Sequence, residues 1–243
     1  MSPERPKICI LAAGRGQRLG FREEPKPMVG LAGKPLIQHT LELATSIDFP
    51  RPVIVVGFKA DKIIQFVGNE ISYAYQSVLN GTAGALEIGV AKIDQRITDI
   101  LVLQGDDSAR FQTQTILELL GVHHRSEAQV TMLITNKWDH ETHTAQYQIE
   151  GDRVVARVTG RRFDPSKGGF STGVNCFKRD FLVRYLPKVK LDSTGERGIP
   201  QLFELAIADR RLVIAKILLD PSESVSINTP EQLAAVQNAE PIR

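Results

Sequence analysis

Cysteine is scarce in this chain, and neither sign of charge is in large excess. Cys9 and Cys176 are its only cysteines, and both lie in apolar, strand-like runs. We therefore expect two buried thiols in a reducing compartment rather than a disulfide or a metal site. The 30 basic residues nearly balance the 28 acidic ones, which leaves a net charge of +2. This balance predicts no nucleic-acid partner and no membrane partner, so any phosphate binding must be local.

Long apolar runs are missing as well. No segment approaches the length that crosses a membrane, and residues 1–7 lack the apolar core of a signal peptide. We therefore expect a cytoplasmic protein. None of the 243 residues belongs to a repeat or to a stretch with the composition of an interdomain linker, so we predict a single domain over residues 1–243.

The hydrophobic pattern predicts an α/β fold. Apolar runs at residues 8–11, 53–57, 72–75 and 100–104 alternate with helical patterns at 35–45 and 60–66 and with a helix that ends near 93. This alternation is typical of a doubly wound, Rossmann-like sheet with ligands at the carboxyl ends of its strands. A hairpin is predicted further along, around the turn pair Gly151-Asp152. We therefore expect a mixed sheet with an inserted, smaller, strand-rich subregion.

One segment, residues 8–36, carries the strongest chemical signal. Its apolar run ends in small residues, and basic residues follow, including Arg18 and a Lys26 that stands between two prolines. Small residues let an anionic group approach the backbone N–H groups, and the prolines restrict the backbone around the lysine. The pattern predicts a loop for a nucleoside triphosphate, with these nucleotide-binding residues: Leu11, Ala12, Ala13, Gly14 and Arg15.

Two common phosphate-binding motifs do not fit this segment. In a dinucleotide fingerprint that starts at Gly14, the third glycine position holds Leu19, and Gly20 comes one residue late. A P-loop requires Gly-Lys-Ser/Thr after its spacer, and that sequence is absent here.

A family resemblance fits better. The string Leu11-Ala-Ala-Gly-Arg-Gly-Gln-Arg-Leu19, with Pro25-Lys26-Pro27 and Leu31-Ala-Gly-Lys-Pro-Leu36, resembles the signature of the sugar-1-phosphate nucleotidyltransferases. It is most similar to the uridylyltransferase domain of bacterial N-acetylglucosamine-1-phosphate uridylyltransferase. The resemblance spans nearly the whole chain. It implies a nucleotide-diphospho-sugar transferase-like fold, with a nucleotide-binding half at about 1–110 and an acceptor-binding half at about 111–243. Because the chain ends at Arg243 without a left-handed β-helix acetyltransferase domain, coenzyme A chemistry is not expected.

The resemblance implies roles for single residues on the nucleotide side. Arg18 and Lys26 would be the catalytic residues that bridge the triphosphate, while Gln76, Gly81 and Thr82 would read the base. A glutamine amide offers one donor and one acceptor group, which can pair with the O and N–H edge of uracil. Thymidylyl relatives also use glutamine, so the motif is only moderately specific for uracil.

Mg²⁺ is the expected cofactor. Asp106 follows a buried strand and Gly105, where its carboxylate can reach a ligand above the sheet, and oxygen ligands suit Mg²⁺. The resemblance assigns the metal to Asp106 and Asn228. Two alternatives stay open, since Asp107 could serve only to cap the loop and Asn228-Thr-Pro-Glu is also a good helix start.

The acceptor side matches the family less well. Thr172-Gly173 and Gly195-Glu196 match sugar-contacting segments, but other positions differ from the N-acetylglucosamine enzyme. Ala145, Thr159 and Ser171 stand where that enzyme carries Gly, Glu and Asn, and Gly198 and Pro200 replace its Tyr and Thr. The predicted acceptor-binding residues are Gly105, Thr159, Ser171, Thr172, Gly173 and Glu196, and a basic loop with Arg161, Arg162 and Lys167 is either a further phosphate contact or a solvated loop.

Together these observations predict an Mg²⁺-dependent transferase that joins UTP to a sugar 1-phosphate other than N-acetylglucosamine 1-phosphate, giving a UDP-sugar and pyrophosphate. The acceptor phosphate, with a second pKa of about 6, is largely ionised at pH 7 and needs no general base. Alternatives are a cytidylyl-, thymidylyl- or guanylyltransferase of the same fold, including the molybdopterin-cofactor type, or a non-catalytic module that binds nucleotide sugars. The expected partners are a nucleoside triphosphate and a phosphorylated sugar or polyol, and the oligomeric state is left open.

Overall fold

The computed structural model of the chain describes residues 5–16, 24–47, 50–137, 145–159, 164–224 and 227–238. Its strands are β1 Lys7–Ala12, β2 Gly30–Leu31, β3 Lys34–Pro35, β4 Val53–Val56, β5 Ser72–Tyr75, β6 Asp99–Gln104, β7 Val130–Thr135, β8 Ala145–Glu150, β9 Arg153–Thr159, β10 Gly168–Lys178 and β11 Val213–Ile217. Its helices are α1 Leu36–Ser46, α2 Ala60–Val67, α3 Thr82–Ala91, α4 Thr113–Ser126, α5 Arg179–Tyr185, α6 Pro200–Ala208 and α7 Pro230–Asn238.

Nine of the strands form one twisted sheet in the order β5-β4-β1-β6-β10-β7-β11-β9-β8. The four strands from the first half of the chain, β5, β4, β1 and β6, run parallel to one another. Each is followed by a helix or loop that returns the chain to the opposite edge, as the alternation of apolar runs and helical patterns predicts. The carboxyl ends of β1 and β6 therefore lie side by side at the centre of the sheet.

The second half of the chain makes the sheet mixed. The long strand β10 runs antiparallel to both β6 and β7, and its pairing with β7 shifts between Ser171 and Asn175. Gly173, inside this irregularity, has φ +86°, which an L-residue rarely adopts. The predicted hairpin is β8–β9, and its turn residue Gly151 also has a positive φ of +65°. The hairpin adds to the edge of the main sheet through β11 and β10.

Helices cover both faces of the parallel strands, which explains why those strands are continuously apolar. Alternate residues of β1 point to opposite faces: Cys9 and Leu11 pack with α3, α5 and α6, whereas Ile8 and Ile10 pack with α1, α2 and α4. Both cysteines are buried and unpaired, and burial raises the pKa of the Cys9 thiol to about 12. The thiols therefore serve as small core side chains, as expected.

A third, smaller apolar cluster joins α7 to the β2–β3 turn. It consists of Val29, Leu31, Leu36, Ala109, Ile227, Leu233 and Val236. This cluster brings the C-terminal segment next to the loop that follows β6, although the two are more than a hundred residues apart in sequence. Throughout the part of the chain that the structure describes, every helix is too short or too polar to span a membrane.

Candidate active site

A cleft of about 580 Å³ opens above the carboxyl ends of β1 and β6. Its lining comes from the loop after β1, the 3₁₀ turn at Lys26–Met28, the α3 N-terminus with the loop before it, the end of β6 and two later segments. The lining residues are Leu11, Ala12, Ala13, Gly14, Arg15, Gly16, Lys26, Pro27, Gln76, Leu79, Gly81, Thr82, Ala85, Gln104, Asp106, Glu196 and Asn228. All eight predicted nucleotide-binding residues are among them.

The loop after β1 is held open toward the cleft. The Phe58 amide donates to the Ala13 carbonyl over 3.0 Å, and the guanidinium of Arg15 lies 5.3 Å from the centre of the Phe58 ring. A Cβ added at Gly14 would meet no atom within 4 Å, so this glycine leaves room in the cleft itself. The loop is therefore anchored on one side while its small residues face open space.

Gly16, for which no role was predicted, packs closely against Lys26. Its φ is +63°, and an added Cβ would lie 2.5 Å from the Lys26 Cβ. The missing side chain lets the 3₁₀ turn that carries Lys26 pack directly on the loop after β1. Pro25 and Pro27 flank that lysine, and the turn is closed by the Met28 and Val29 amides, which donate to Pro25 and Lys26.

Lys26 is the centre of a buried ionic cluster, with only 6% of the residue exposed. Its Nζ lies 2.8 Å from Asp106 Oδ2, 3.0 Å from Asp107 Oδ1 and 3.0 Å from Asn228 Oδ1. Asp107 Oδ1 also accepts a hydrogen bond of 3.2 Å from the Ile227 amide. Three segments far apart in sequence thus meet at one ammonium group.

The electrostatics of this cluster keep the lysine charged. Burial acts to lower the pKa of Lys26, but the carboxylates of Asp106 and Asp107 outweigh it and raise that pKa above its ordinary value. Burial, with the adjacent charge of Asp106, raises the pKa of Asp107 to about 6, although Lys26 opposes this shift. The two aspartates are therefore a repelling pair that depends on a cation.

The oxygens in this cluster fit the expected metal. Two carboxylates and one amide oxygen converge on a single positive charge, and oxygen donors of this kind suit Mg²⁺. Across the described ranges, no group of three or more His, Cys, Asp or Glu side chains is arranged to hold a metal ion. The predicted ligands Asp106 and Asn228 lie together although 122 positions separate them.

Gln76 is buried beside the cleft, and its amide is partly committed to the protein. Its Nε2 donates to Asn80 Oδ1 over 3.0 Å and to the Gly81 carbonyl over 3.1 Å. Both amide hydrogens are used by these contacts, so Oε1 is the atom that can serve a ligand as an acceptor. Since these two hydrogen bonds hold the loop, the predicted pairing with a base depends on the acceptor Oε1, and the role of Gln76 stays a prediction.

The loop that contains Gly81 is clasped to the segment that carries Glu196. The Arg197 amide donates to Asn80 over 2.6 Å, the Ala83 amide donates to the Arg197 carbonyl over 2.8 Å, and the Ile199 amide donates to Thr82 Oγ1 over 3.1 Å. We call these three hydrogen bonds the clasp. At Gly81, whose φ is +97°, an added Cβ would lie 2.6 Å from the Arg197 carbonyl oxygen. The absence of a side chain at Gly81 thus allows the close approach that the clasp requires.

The Arg197 side chain fixes the second half of the clasp. Its guanidinium bonds Glu87 of α3 over 2.6 Å, the Leu186 carbonyl over 2.6 Å and the Val189 carbonyl over 3.0 Å. A guanidinium with three such partners holds its backbone in one place. Glu196, the neighbour of Arg197, is thereby kept at the wall of the cleft.

The other predicted acceptor residues do not line the cleft. Gly105 lies beneath its floor, where its amide donates to the Leu11 carbonyl over 2.9 Å, and Thr172 donates to the Leu133 carbonyl over 3.0 Å. Ser171 pairs with Ile134 inside β10, and Thr159 is an exposed residue at the end of β9.

Gly173 lies against the Gln104 side chain, whose Nε2 is 3.4 Å from the Gly173 carbonyl oxygen. Gln104 itself lines the cleft. Lys167 is exposed and pairs with Asp164 at 3.4 Å. Arg18, Arg161 and Arg162 lie outside the described residues, so their assignments stay predictions.

Four lining residues received no role from the sequence: Gly16, Leu79, Ala85 and Gln104. Gln104 could have been found, since it is the last residue of a buried strand and directly precedes Gly105-Asp106. Leu79 and Ala85 flank the predicted Gly81-Thr82 and provide the apolar part of the wall.

Comparison with known proteins supports one family. Residues 8–167 match the family model of the MobA-like NTP transferase domain. The bifunctional protein GlmU of Exiguobacterium sibiricum is 28% identical over 234 residues, which are 95% of this chain and 52% of that protein. The GlmU of Prochlorococcus marinus is 29% identical over 236 residues, which are 95% of this chain and 51% of that protein. The chain thus spans about half the length of these relatives.

Two solved structures share the fold. A UDP-glucose pyrophosphorylase, solved with UDP-glucose, superposes with a TM-score of 0.77 at 18% identity and covers 96% of this chain and 98% of its own. A putative glucose-1-phosphate thymidylyltransferase from Bacillus anthracis gives a TM-score of 0.75 at 17% identity, with 97% of each chain covered. The predicted α/β fold with a mixed sheet is therefore confirmed.

Proposed function

Because this chain belongs to the MobA-like NTP transferase domain family, we propose that it is an Mg²⁺-dependent nucleotidyltransferase that joins UTP to a sugar 1-phosphate and releases pyrophosphate. The observation that carries the proposal is the meeting of Lys26, Asp106 and Asn228 in a cleft whose wall is the loop at residues 11–16. These are the residues for which the sequence predicted triphosphate and metal binding.

The chain's own residues would act by binding and orientation. The small residues after β1 leave the backbone accessible to phosphate oxygens, Arg15 adds a positive charge, and Lys26 provides a second one from a constrained turn. The acceptor phosphate is the nucleophile and is already ionised at neutral pH, so the protein's task is to hold two polyanions in line. Arg18 is proposed to share the triphosphate with Lys26.

Asp106 and Asn228 would hold the metal. Bound Mg²⁺ supplies a hard Lewis acid that offsets charge on the phosphate oxygens. The cation that these two side chains contact in the structure is the Lys26 ammonium, and it shows that both oxygens point at a common position.

For the base, the proposal rests on Gln76. Its Oε1 can accept the ring N–H of uracil, and Leu79 provides an apolar surface beside it. Thymine presents the same ring N–H, so dTTP is the strongest alternative. The matching family is described only as transferring NTP, without a base, so GTP and CTP also stay among the candidates.

For the acceptor, we propose a sugar 1-phosphate other than N-acetylglucosamine 1-phosphate. Glu196 is the predicted acceptor residue that the clasp holds at the cleft, and its carboxylate can accept hydrogen bonds from sugar hydroxyls. The substitutions at Ala145, Thr159 and Ser171 motivate the exclusion of the N-acetyl sugar.

The test is a pyrophosphate-release screen. UTP, CTP, GTP, ATP and dTTP would each be combined with a panel of sugar and polyol phosphates, with and without Mg²⁺. We expect release only with UTP, Mg²⁺ and one class of sugar 1-phosphate, and release about 10²–10³-fold slower from the Lys26→Met variant. Strict preference for CTP or GTP would overturn the role of Gln76. Tight binding of a UDP-sugar with no turnover in either direction would favour a non-catalytic binding module.

A further inference from the structure

The position expected for a divalent metal already contains a cation that belongs to the chain. Lys26 Nζ lies 2.8 Å from Asp106 Oδ2 and 3.0 Å from Asn228 Oδ1, and these oxygens belong to the two residues assigned to Mg²⁺. A third contact of 3.0 Å joins the same ammonium to Asp107 Oδ1. An ammonium has three N–H donors, so these three oxygens can take all of them.

A divalent ion and this ammonium cannot share the site as it stands. Mg²⁺ binds oxygen at about 2.0–2.1 Å, and the ammonium nitrogen is 2.8 Å from Asp106 Oδ2 and 3.0 Å from Asn228 Oδ1. An ion on these two oxygens would therefore lie at most about 5 Å from the nitrogen. At such a distance, in a site with few exposed atoms, the repulsion between the two cations is large. The ammonium has to leave both oxygens before the metal can bind them.

The surrounding geometry allows that movement at the tip of the side chain only. The stem of Lys26 is fixed where its Cβ packs against Gly16 and where two prolines flank the turn. Asp107 stays available as a partner, because its Oδ1 also accepts from the Ile227 amide and is held next to Asn228 independently of the lysine. The cleft lies on the open side.

We propose that Lys26 is a resident cation that occupies the metal site until a divalent ion displaces it, after which Asp107 keeps the ammonium at the edge of the cleft. This deepens the proposed function, on which it rests for the identity of the metal ligands. Its consequence is that one residue opposes metal binding in the absence of nucleotide while it supports the triphosphate in the complex. Free divalent ions should therefore bind weakly to the protein alone.

The test measures metal binding without nucleotide and without turnover. Mn²⁺ serves as the probe, and free Mn²⁺ is followed by electron paramagnetic resonance as the protein is titrated. We expect Lys26→Met to bind Mn²⁺ about tenfold more tightly than the parent or better, since it removes a cation from the ligand oxygens. The double variant Lys26→Met/Asp106→Asn should lose that gain.

A matched control separates this effect from a general change in charge. Lys34→Met removes a lysine whose Nζ pairs with Glu42 at 2.8 Å and so is held away from these oxygens. We expect its Mn²⁺ affinity to stay within about twofold of the parent. Equal gains in both variants, or no gain in Lys26→Met, would overturn the proposal. Lys26→Arg, which keeps the charge, should bind Mn²⁺ as weakly as the parent.

A second measurement uses the parent protein, so it does not require the Lys26→Met variant to fold. In spectra of ¹³C-lysine-labelled protein, assigned with Lys26→Arg, the Lys26 Cε signal should shift as Mg²⁺ saturates the site. An unchanged signal at saturation would contradict displacement. If no nucleotide is turned over in any screen but these metal effects hold, then the proposed function fails and the cation exchange stands.

Discussion

Two charged clusters lie at opposite ends of β6, and they differ in what surrounds them. At the carboxyl end, Lys26 and Asp106 line a cleft, and Lys26 also pairs with Asp107. At the amino end, Asp99 accepts hydrogen bonds from His123 Nε2 over 3.0 Å and from Lys178 over 2.8 Å, and His123 Nδ1 lies 2.8 Å from Thr131 Oγ1.

Both clusters contain a lysine and at least one carboxylate, but the balance of charge differs. The amino-end cluster has one carboxylate with more than one donor, and His123 is fully buried in the core. The carboxyl-end cluster has two adjacent carboxylates for one ammonium, next to open space. A satisfied cluster stabilises the fold, whereas one with excess negative charge is suited to bind a further cation. Composition alone does not distinguish the two.

The largest expected effect is the loss of turnover in Lys26→Met. The variant removes a positioned positive charge from the triphosphate, so kcat should fall by about 10²–10³, the scale for one preorganised electrostatic group. Steady-state kinetics with UTP and the acceptor found in the screen would measure it. Near-normal kcat would mean that the lysine is purely structural.

Asp99→Asn should give the opposite pattern. It removes the negative charge of the carboxylate that both His123 and Lys178 contact. The free energy of unfolding should therefore fall by about 2 kcal/mol, the scale for a hydrogen bond to a charged group. The kcat of the folded variant should stay within about twofold of the parent, since the residue is remote from the cleft. Urea unfolding and kinetics on the same preparation would test both points. A large loss of kcat with unchanged stability would break the distinction between the clusters.

The acid stability of the protein should depend on the same residue. Burial raises the pKa of Asp99, but hydrogen bonds from His123 and Lys178 outweigh it and hold that pKa well below its ordinary value. The stabilisation from a depressed pKa is present above the unfolded pKa of about 3.9 and is lost as the pH falls further toward the folded value. Urea midpoints between pH 6 and pH 3 should therefore decline less steeply in Asp99→Asn than in the parent. Parallel curves would contradict this.

The smallest effect is expected when the same kind of substitution is made at the other end of the strand. Asp107→Asn removes one of two adjacent negative charges, and an Asn oxygen can still accept from Lys26 and from the Ile227 amide. The free energy of unfolding should change by less than about 1 kcal/mol. Urea unfolding beside Asp99→Asn makes the comparison direct, and equal losses in the two variants would show that the clusters are alike.

Sequence reasoning went furthest where structure is local. The parallel strands and their helices follow from apolar runs and periodicity. The predicted site residues at the strand ends converge because the carboxyl ends of β1 and β6 are adjacent. The contacts in β10 are not local. The Thr172 hydroxyl donates to the Leu133 carbonyl, and Ser171 pairs with Ile134. Both contacts depend on the register between β10 and β7.

The same limit applies to side chains whose partners come from far along the chain. Nothing near Gln76 in sequence shows that its amide hydrogens bind Asn80 and Gly81, and nothing near Gly81 shows that Arg197 fills the space beside it. Tertiary packing decides which polar groups remain for a ligand.

The clasp between residues 80–83 and 197–199 sets a rule for exchanging parts between related proteins. The Arg197 amide donates to the Asn80 carbonyl, and the Arg197 carbonyl accepts from the Ala83 amide. The loop beside Gln76 and the loop that carries Glu196 therefore form one module. A graft that transplants the Glu196 loop alone would leave the Asn80 carbonyl and the Ala83 amide to find new partners. Chimeras should therefore move both loops together, with Glu87 as the third component that holds the Arg197 guanidinium.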